Sequence, residues 1–233
     1  VTPRILPGTG LSRVHGDAFP DPAGVPMVFH HVCIDTVVHV DAPVRLSSAE
    51  IVWRLQPALD RLGVRSDLLE NVAGIRARRI WDGPMQAADA ATLAGQKALA
   101  ASMVPPERIG VLINTSVSRD YVEPSTASVV HGNLGLPDTC QNFDVGNACL
   151  AFVSGIDIAA RMIEYGEVDF ALIVDGEVSN EIIDRTVERL NSPDATVAQF
   201  HQEFASLTLG SGAAAMVLGH DSLVTSGHRY VGS

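Results

Sequence analysis

The chain has 233 residues, of which 46% are hydrophobic and 18% are charged, a composition typical of one large or two small globular domains. Lys and Arg number 16 against 27 Asp and Glu, and the formal net charge of −11 argues against nucleic acid or an anionic membrane as the main partner. No stretch approaches the roughly 18 uninterrupted apolar residues of a membrane span, and the three scattered cysteines favour a reducing, cytoplasmic setting over a secreted disulfide framework.

The first part of the chain predicts a leader followed by a strand and a helix. Residues 1–26 are rich in Pro and Gly and show no apolar period, which is typical of a flexible leader, so the folded unit is expected over 27–233. A β-branched run predicts a strand over 30–40. Serine caps and an apolar period predict a helix over 47–63, with Pro57 as a kink or break.

The rest of the chain alternates between apolar strands and helices. The expected helices are 85–103, 125–133 and 149–165, and the expected strands are 109–117, 141–145, 168–178 and 212–220. Charged residues over 179–208 predict a surface excursion with one short helix near 197–204. The helix over 149–165 is apolar nearly all the way round and is expected to lie between layers.

This alternation predicts the fold class. Strands with continuous apolar runs, separated by helices, indicate an α/β fold. We expect a mostly parallel five-stranded sheet with helices on both faces.

Cys149 stands where the strand over 141–145 gives way to the apolar helix. Open α/β sheets bind their ligands at this edge, beyond the carboxyl ends of the strands. The unpaired amides and the dipole at a helix start favour a thiolate and donate to an oxyanion, so the position suits a nucleophile. A small apolar cysteine that fills a tight turn is the structural alternative.

Three longer segments resemble a known family. FDVGNACLAF, GEVDFALIVDGEV and LTLGSGAAAMVLG are similar to segments of the ketoacyl synthase III branch of the thiolase superfamily, and the resemblance runs from about Met27 to the end. INTSVSRDYVEPSTAS is most similar to OleA-type enzymes, which condense two fatty acyl thioesters. The resemblance implies a thiolase-like fold of which this chain holds only the first of two pseudo-repeated halves, with the C-terminal half absent.

The same resemblance implies roles for five residues. Cys149 would accept the acyl group, and Glu123, 26 residues before it, would reach the partner subunit's active site as the base for a second acyl chain. Without the family, Glu123 is an ordinary surface loop acid. Arg76, Arg78 and Arg79 would hold the phosphates of coenzyme A, unless they form a solvated face.

Acyl-CoA or acyl-carrier protein is the substrate that the resemblance implies, with no permanently bound cofactor and no metal. The implied reaction is a Claisen condensation to a β-keto product by a homodimer, or by a heterodimer with a related thiolase-fold subunit. Decarboxylating 3-oxoacyl-carrier-protein synthase III is one alternative. A non-catalytic partner subunit of a heterodimeric condensing enzyme is another, and a truncated, inactive product is a third.

The chain also departs from the family pattern. The His and Asn that complete such sites belong to the second half, and neither is found here. Leu68 and Val72 stand where initiating synthases carry a Trp and an Arg against coenzyme A, which favours long-chain condensation. We further expect Arg119 and Asp120 to form a local ion pair, and we expect no role for His30 and His31.

Overall fold

The computed structural model of the protein describes residues 28–232. Its strands are β1 (Val32–Asp41), β2 (Val44–Ser47), β3 (Ala77–Ile80), β4 (Ile109–Asn114), β5 (Gln141–Asp144), β6 (Phe170–Glu177) and β7 (Gly212–His220). Its helices are α1 (Ser48–Leu62), α2 (Leu68–Asn71), α3 (Ala87–Ser102), α4 (Thr126–Leu134), α5 (Ala151–Glu164), α6 (Asn180–Asn191) and α7 (Val197–Glu203). The predicted leader over 1–26 lies outside the described residues.

Five strands form one mixed sheet in the order β1-β7-β6-β4-β5. β4 pairs in parallel with β5 and β6, whereas β7 is antiparallel to both β6 and β1. β1, β4, β5 and β6 therefore run in one direction and β7 alone runs against them. The predicted α/β fold with a mostly parallel five-stranded sheet is confirmed.

Helix α3 covers one face of the sheet through a surface of small side chains. Ala90, Ala91, Ala94 and Ala98 are fully buried in one cluster with residues of β6 and β7. Their short side chains let the helix backbone come close to the strands, and Gly176 on β6 provides the space opposite Ala87 and Ala91.

Helix α5 covers the opposite face, where Ala159, Ala160 and Ile163 pack with residues of β4, β6 and β7. This confirms the prediction of helices on both faces. In the described chain α5 is covered on one side only, since Val153 is 48% exposed and Arg161 is also exposed, so the place between two layers stays a prediction. The sheet covers one side of α5, and the apolar residues on its other side stay open.

The segment over 179–208 is more ordered than its charges suggest. Helix α6 occupies its first half, and Ile183, Val187 and Leu190 bury their side chains against helix α1 and its neighbours. The predicted surface excursion is therefore wrong for this half. The three apolar residues follow one another at spacings of four and three, which is a helical period, but the charged residues between them obscure that period in the sequence. The predicted short helix near 197–204 corresponds to α7.

Two further elements differ from the prediction. Strands β2 and β3 form a small antiparallel sheet although they lie about thirty residues apart in sequence. No local sequence pattern predicted this pairing. Helix α1 continues through Pro57 without a break, with Ser47 accepting a hydrogen bond from the Glu50 amide at its start and Gly63 in the left-handed region at its end.

We expect Gly176→Ala to destabilise the fold by about 3 kcal/mol, because overpacking against rigid backbone has a cost of this size. A Cβ at position 176 overlaps the Ala87 carbonyl oxygen and lies 2.5 Å from the Ala91 amide nitrogen. Gly132→Ala is the matched control, since an added Cβ on this exposed position of helix α4 meets nothing within 4 Å. Thermal or urea unfolding of both variants makes the test, and an equal stability for the two contradicts the close approach of α3.

Candidate active site

The Cys149 segment joins β5 to α5 through a tight turn. Cys149 lies in a short 3-10 turn, Ala148–Leu150, and α5 itself begins two residues later at Ala151. The predicted helix start at Cys149 is therefore two residues too early, because a 3-10 turn that leads directly into the helix precedes it. Ala148 adopts a φ of 45°, a left-handed conformation that is strained for a residue with a Cβ. Strain of this kind is concentrated at functional sites.

Hydrogen bonds fix the turn on both sides of the cysteine. Before it, the Val145 amide donates to the Asn114 carbonyl of β4 at 2.8 Å. Across it, the Asn147 side-chain amide donates to the Ser154 hydroxyl at 3.0 Å, and that hydroxyl donates to the Leu150 carbonyl at 3.1 Å. The turn is thus tied to the neighbouring strand and to the first turn of α5.

Cys149 is the exposed member of the chain's three cysteines. Cys33 and Cys140 are each 4% exposed, and burial raises the pKa of Cys140 to about 11. A buried, apolar thiol of this kind is unreactive at neutral pH. Cys149, by contrast, is exposed at the carboxyl ends of the strands, and its role as a nucleophile stays a prediction.

Asp144, the last residue of β5, connects the cysteine turn with the segment that carries Glu123. Its carboxylate accepts hydrogen bonds from the amides of Thr126 and Ala127 at 3.1 and 2.8 Å and from the Asn114 side chain at 3.1 Å. A carboxylate at a helix start accepts hydrogen bonds from the unpaired amides there, and its negative charge interacts favourably with the positive end of the helix dipole. The start of α4 is thereby held next to the end of β5.

Glu123 lies in an exposed loop between β4 and α4. It precedes Pro124 through a cis peptide bond, and its neighbour Val122 is 92% exposed. The loop extends from the strand end at Asn114 to the helix cap at Ser125, so Glu123 and Cys149 follow adjacent parallel strands at one edge of the sheet.

The expected ion pair between Arg119 and Asp120 is wrong. Asp120 instead accepts hydrogen bonds from the Ala87 and Ala88 amides at 2.8 and 3.0 Å, and so caps the start of α3. Arg119 extends the other way, where its Nη2 lies 3.5 Å from the position of a Cβ on Gly146. A guanidinium that the sequence did not single out for the site therefore stands beside the cysteine turn.

The three arginines of the GIRARRIW segment are not equivalent, because successive residues of a strand face opposite sides. Arg78 is 6% exposed and donates to the Leu207 carbonyl at 3.0 Å, and burial lowers its pKa. Its predicted contact with coenzyme A phosphates is contradicted by this burial. Arg76 and Arg79 are exposed, and Arg79 also donates to the Ala42 carbonyl at 3.2 Å.

Two carboxylates at the end of β6 were missed by sequence reasoning. Glu177 accepts hydrogen bonds from the amides of Val117 and Ser118 and from the Ser118 hydroxyl, and so holds the beginning of the Glu123 loop. Asp175 accepts a hydrogen bond from the Thr115 hydroxyl at 3.0 Å. Burial raises the pKa of Asp175 to about 6, with the charge of Glu177 adding to the rise and Thr115 opposing it. The signal was present as two acids at alternate positions of an otherwise apolar strand.

A wide cleft opens beside this loop. It has a volume of about 1070 Å³ and is lined by residues 83–87, 117–120 and helix α6. Its walls carry Arg119, Arg185 and Arg189 together with several carboxylates, and Cys149 is not one of its lining residues. No helix within residues 28–232 is both long and apolar enough to cross a membrane.

The comparisons with known proteins agree with this architecture. The model of the 3-oxoacyl-[acyl-carrier-protein] synthase III family matches residues 143–232, which include the cysteine turn. A protein of Xanthomonas campestris named acyl-CoA:acyl-CoA alkyltransferase is 58% identical over 206 residues, covering 88% of this chain and 61% of its own length. A protein of the same name from Shewanella oneidensis is 34% identical over 197 residues, covering 84% of this chain and 56% of its own length.

Solved structures give the same result. A cerulenin-bound structure of Xanthomonas campestris OleA is 58% identical and superposes with a TM-score of 0.85 over 88% of this chain and 62% of that chain. An acetamide-bound structure of the same protein gives a TM-score of 0.86 at 58% identity, over 88% of this chain and 63% of that chain.

The fold and the cysteine turn are those of the thiolase superfamily, in its ketoacyl synthase III branch. Within that branch the chain is similar in sequence and structure to OleA of Xanthomonas campestris over 88% of its own length. It spans about 61% of the length of the Xanthomonas relative.

Thiol labelling tests the accessibility of the three cysteines. We expect one equivalent of iodoacetamide to react with the folded protein, and Cys149→Ala to abolish the reaction, because the other two thiols are buried. Cys140→Ala is the matched control and keeps full labelling. Mass spectrometry of the labelled peptides locates the adduct, and rapid reaction at Cys33 or Cys140 in the folded state contradicts the structure.

Asp175 gives a testable pH dependence. Because its folded pKa of about 6 exceeds the ordinary value of 3.8, the folded state binds more protons than the unfolded state between these values, and this group's contribution to stability falls as the pH rises through that window. We expect Asp175→Asn to raise the free energy of unfolding at pH 7.5 by about 1 to 2 kcal/mol and to leave little gain at pH 4. Urea unfolding at both pH values measures the difference, and an equal effect at both excludes the raised pKa.

Proposed function

We propose that the chain is the nucleophile-bearing half, over residues 27–233, of an enzyme that condenses two fatty acyl thioesters. The observation that carries the proposal is the single exposed thiol, Cys149, on a strained turn at the carboxyl ends of the parallel strands. The two relatives named acyl-CoA:acyl-CoA alkyltransferase support acyl-CoA as the substrate.

The first half-reaction is acyl transfer to the cysteine. The Cys149 thiolate attacks the carbonyl carbon of an acyl-CoA, the new carbon–sulfur bond forms, and the thiolate of coenzyme A leaves and takes up a proton. Covalent catalysis of this kind divides one difficult step into two easier ones. Arg76 and Arg79, both exposed, are the proposed contacts for the coenzyme A phosphates.

The second half-reaction forms the carbon–carbon bond. A base removes the α-proton of a second acyl thioester, and the resulting carbanion attacks the acyl carbonyl on Cys149. The Cys149 sulfur leaves as a thiolate, and the product is a β-ketoacyl thioester. Since no carboxylate is expelled in this reaction, a general base has to supply the carbanion.

Glu123 is the base that we propose. Its loop is held at one end by Glu177 and at the other by Asp144, which keeps an exposed carboxylate at the edge of the sheet that carries Cys149. Solved variants of Xanthomonas campestris OleA substitute one glutamate, and others substitute one histidine. In the whole protein we propose that Glu123 acts in the site of a partner subunit, in a homodimer or a heterodimer with a related subunit.

The setting and the requirements of the enzyme follow from the same features. Three free cysteines, one of them exposed, support a reducing cytoplasmic compartment. Acyl-CoA or acyl-carrier protein enters as substrate, and the proposed reaction needs no permanently bound cofactor.

Acylation is tested with the full-length protein that contains this chain. After incubation with a long-chain acyl-CoA, we expect intact-mass analysis to show one acyl adduct, mapped to Cys149 by digestion. Cys149→Ala loses the adduct and Cys140→Ala keeps it, because only the first of these thiols is exposed. Absence of the adduct from the folded, full-length protein rejects the proposed nucleophile.

Glu123→Gln separates acylation from condensation. The variant is expected to form the Cys149 adduct at the parent rate but to lose about 10² to 10⁴ of the condensation rate, which is the usual contribution of a general base. Glu107→Gln is the control, because Glu107 lies just before the amino end of β4, at the other end of that strand from the Glu123 loop. Turnover with malonyl-carrier protein that is insensitive to Glu123→Gln supports instead the decarboxylating synthase III reaction, for which the family match gives independent support.

A further inference from the structure

A second cluster of titratable side chains lies at the edge of the sheet opposite Cys149, where β1 begins and β7 ends. His31 precedes β1, His220 ends β7, and Asp221 follows it. The antiparallel register places Val32 opposite His220, and the Asp221 amide donates to the His31 carbonyl at 2.9 Å. The pairing of the two strands therefore brings the three side chains together.

The Asp221 carboxylate contacts both imidazoles. Its Oδ2 lies 3.4 Å from His31 Nδ1, and its Oδ1 lies 3.3 Å from His220 Nδ1. The two rings are stacked with centroids 5.3 Å apart and planes at 10°. One ligand atom from each residue can be chosen so that all three lie within 4.8 Å of one another.

These separations are close to those of ligands on one metal ion. Around a tetrahedral zinc with bonds of about 2.0 to 2.1 Å, two ligand atoms are about 3.3 Å apart. Each imidazole already lies at this separation from one of the two Asp221 oxygens, and the three ligand atoms, within 4.8 Å of one another, have to draw closer and the stacked rings have to turn for all three to face one ion. A side-chain rotation achieves that, because His31 is 54% exposed in its side chain and is free to adjust.

We propose that His31, His220 and Asp221 bind a divalent transition metal ion such as Zn²⁺. Two imidazoles with one carboxylate suit zinc, cobalt or nickel, whereas magnesium and calcium prefer oxygen ligands alone. The side chains of His220 and Asp221 are 31% and 33% exposed, so the site is open to an ion from solution.

The backbone around the site is already anchored. Glu164 at the end of α5 accepts hydrogen bonds from the His30 and His31 amides, and the His220 amide donates to the Asp169 carbonyl at 3.0 Å. With the backbone anchored in this way, binding has to proceed by movement of the side chains, and the His220 imidazole in particular has to turn. In doing so His220 gives up its contacts with the Ser222 amide and hydroxyl, which lie 3.2 and 2.8 Å from its Nδ1.

A bound ion would fasten the start of β1 to the end of β7. Since the folded state presents the three ligands together and the unfolded chain does not, metal binding stabilises the fold. This role is structural and lies at the far edge of the sheet from the acyl chemistry.

Zinc titration of the untagged, full-length protein tests the site. The measurement uses a Cys149→Ala background, because an exposed thiol is itself a zinc ligand, and competition with a chromophoric chelator gives the affinity and stoichiometry. We expect one equivalent of Zn²⁺ to bind and to raise the melting temperature. His31→Ala and Asp221→Asn each weaken binding by at least about tenfold and remove the thermal shift.

His201→Ala, at an exposed histidine on α7, is the matched control and leaves affinity and thermal shift unchanged. Co²⁺ gives an independent readout, since tetrahedral coordination produces visible absorption bands that the His31→Ala and Asp221→Asn proteins lack. Absence of zinc binding in the Cys149→Ala background overturns the proposal. Equal zinc affinity in the His31→Ala, Asp221→Asn and His201→Ala proteins overturns it as well.

Discussion

The candidate active site depends on the carboxylate of Asp144 at the end of β5. This carboxylate accepts hydrogen bonds from the first amides of α4 and from the side chain of Asn114. It therefore joins the ends of β4 and β5 to the start of α4. The loop with Glu123 enters that helix, and the turn with Cys149 leaves that strand. Loss of the carboxylate leaves helix amides without partners and lets both segments move independently.

Tight backbone packing places this edge of the sheet. Small side chains on α3 and Gly176 on β6 allow the helix to lie directly on the strands, and Gly155 does the same for α5 beside Thr115. With helices fixed on both faces, the loops at the carboxyl ends have little freedom in where they begin. The loop with Glu123 and the turn with Cys149 therefore begin and end at fixed points, at the edge of the sheet where α/β folds bind ligands.

The described chain presents apolar surface around Cys149. Leu150 and Val153 flank the cysteine turn and the first turn of α5, and they are 62% and 48% exposed. Exposed apolar groups next to an exposed thiol are suited either to a fatty chain or to further protein, since both remove that surface from water. The chain spans about 61% of the length of the Xanthomonas relative.

Sequence alone determined the order and type of the main elements, the strand-to-helix position of Cys149 and the family, because apolar period, caps and contiguous motifs are local features of the chain. Tertiary structure alone decided the burial of Arg78, the pairing of β2 with β3, the capping by Asp120 and Asp144, and the meeting of His31 with His220. Each of these depends on contacts between residues distant in sequence. A side chain's partner and exposure are set by what the rest of the fold brings to it, and no local pattern records that.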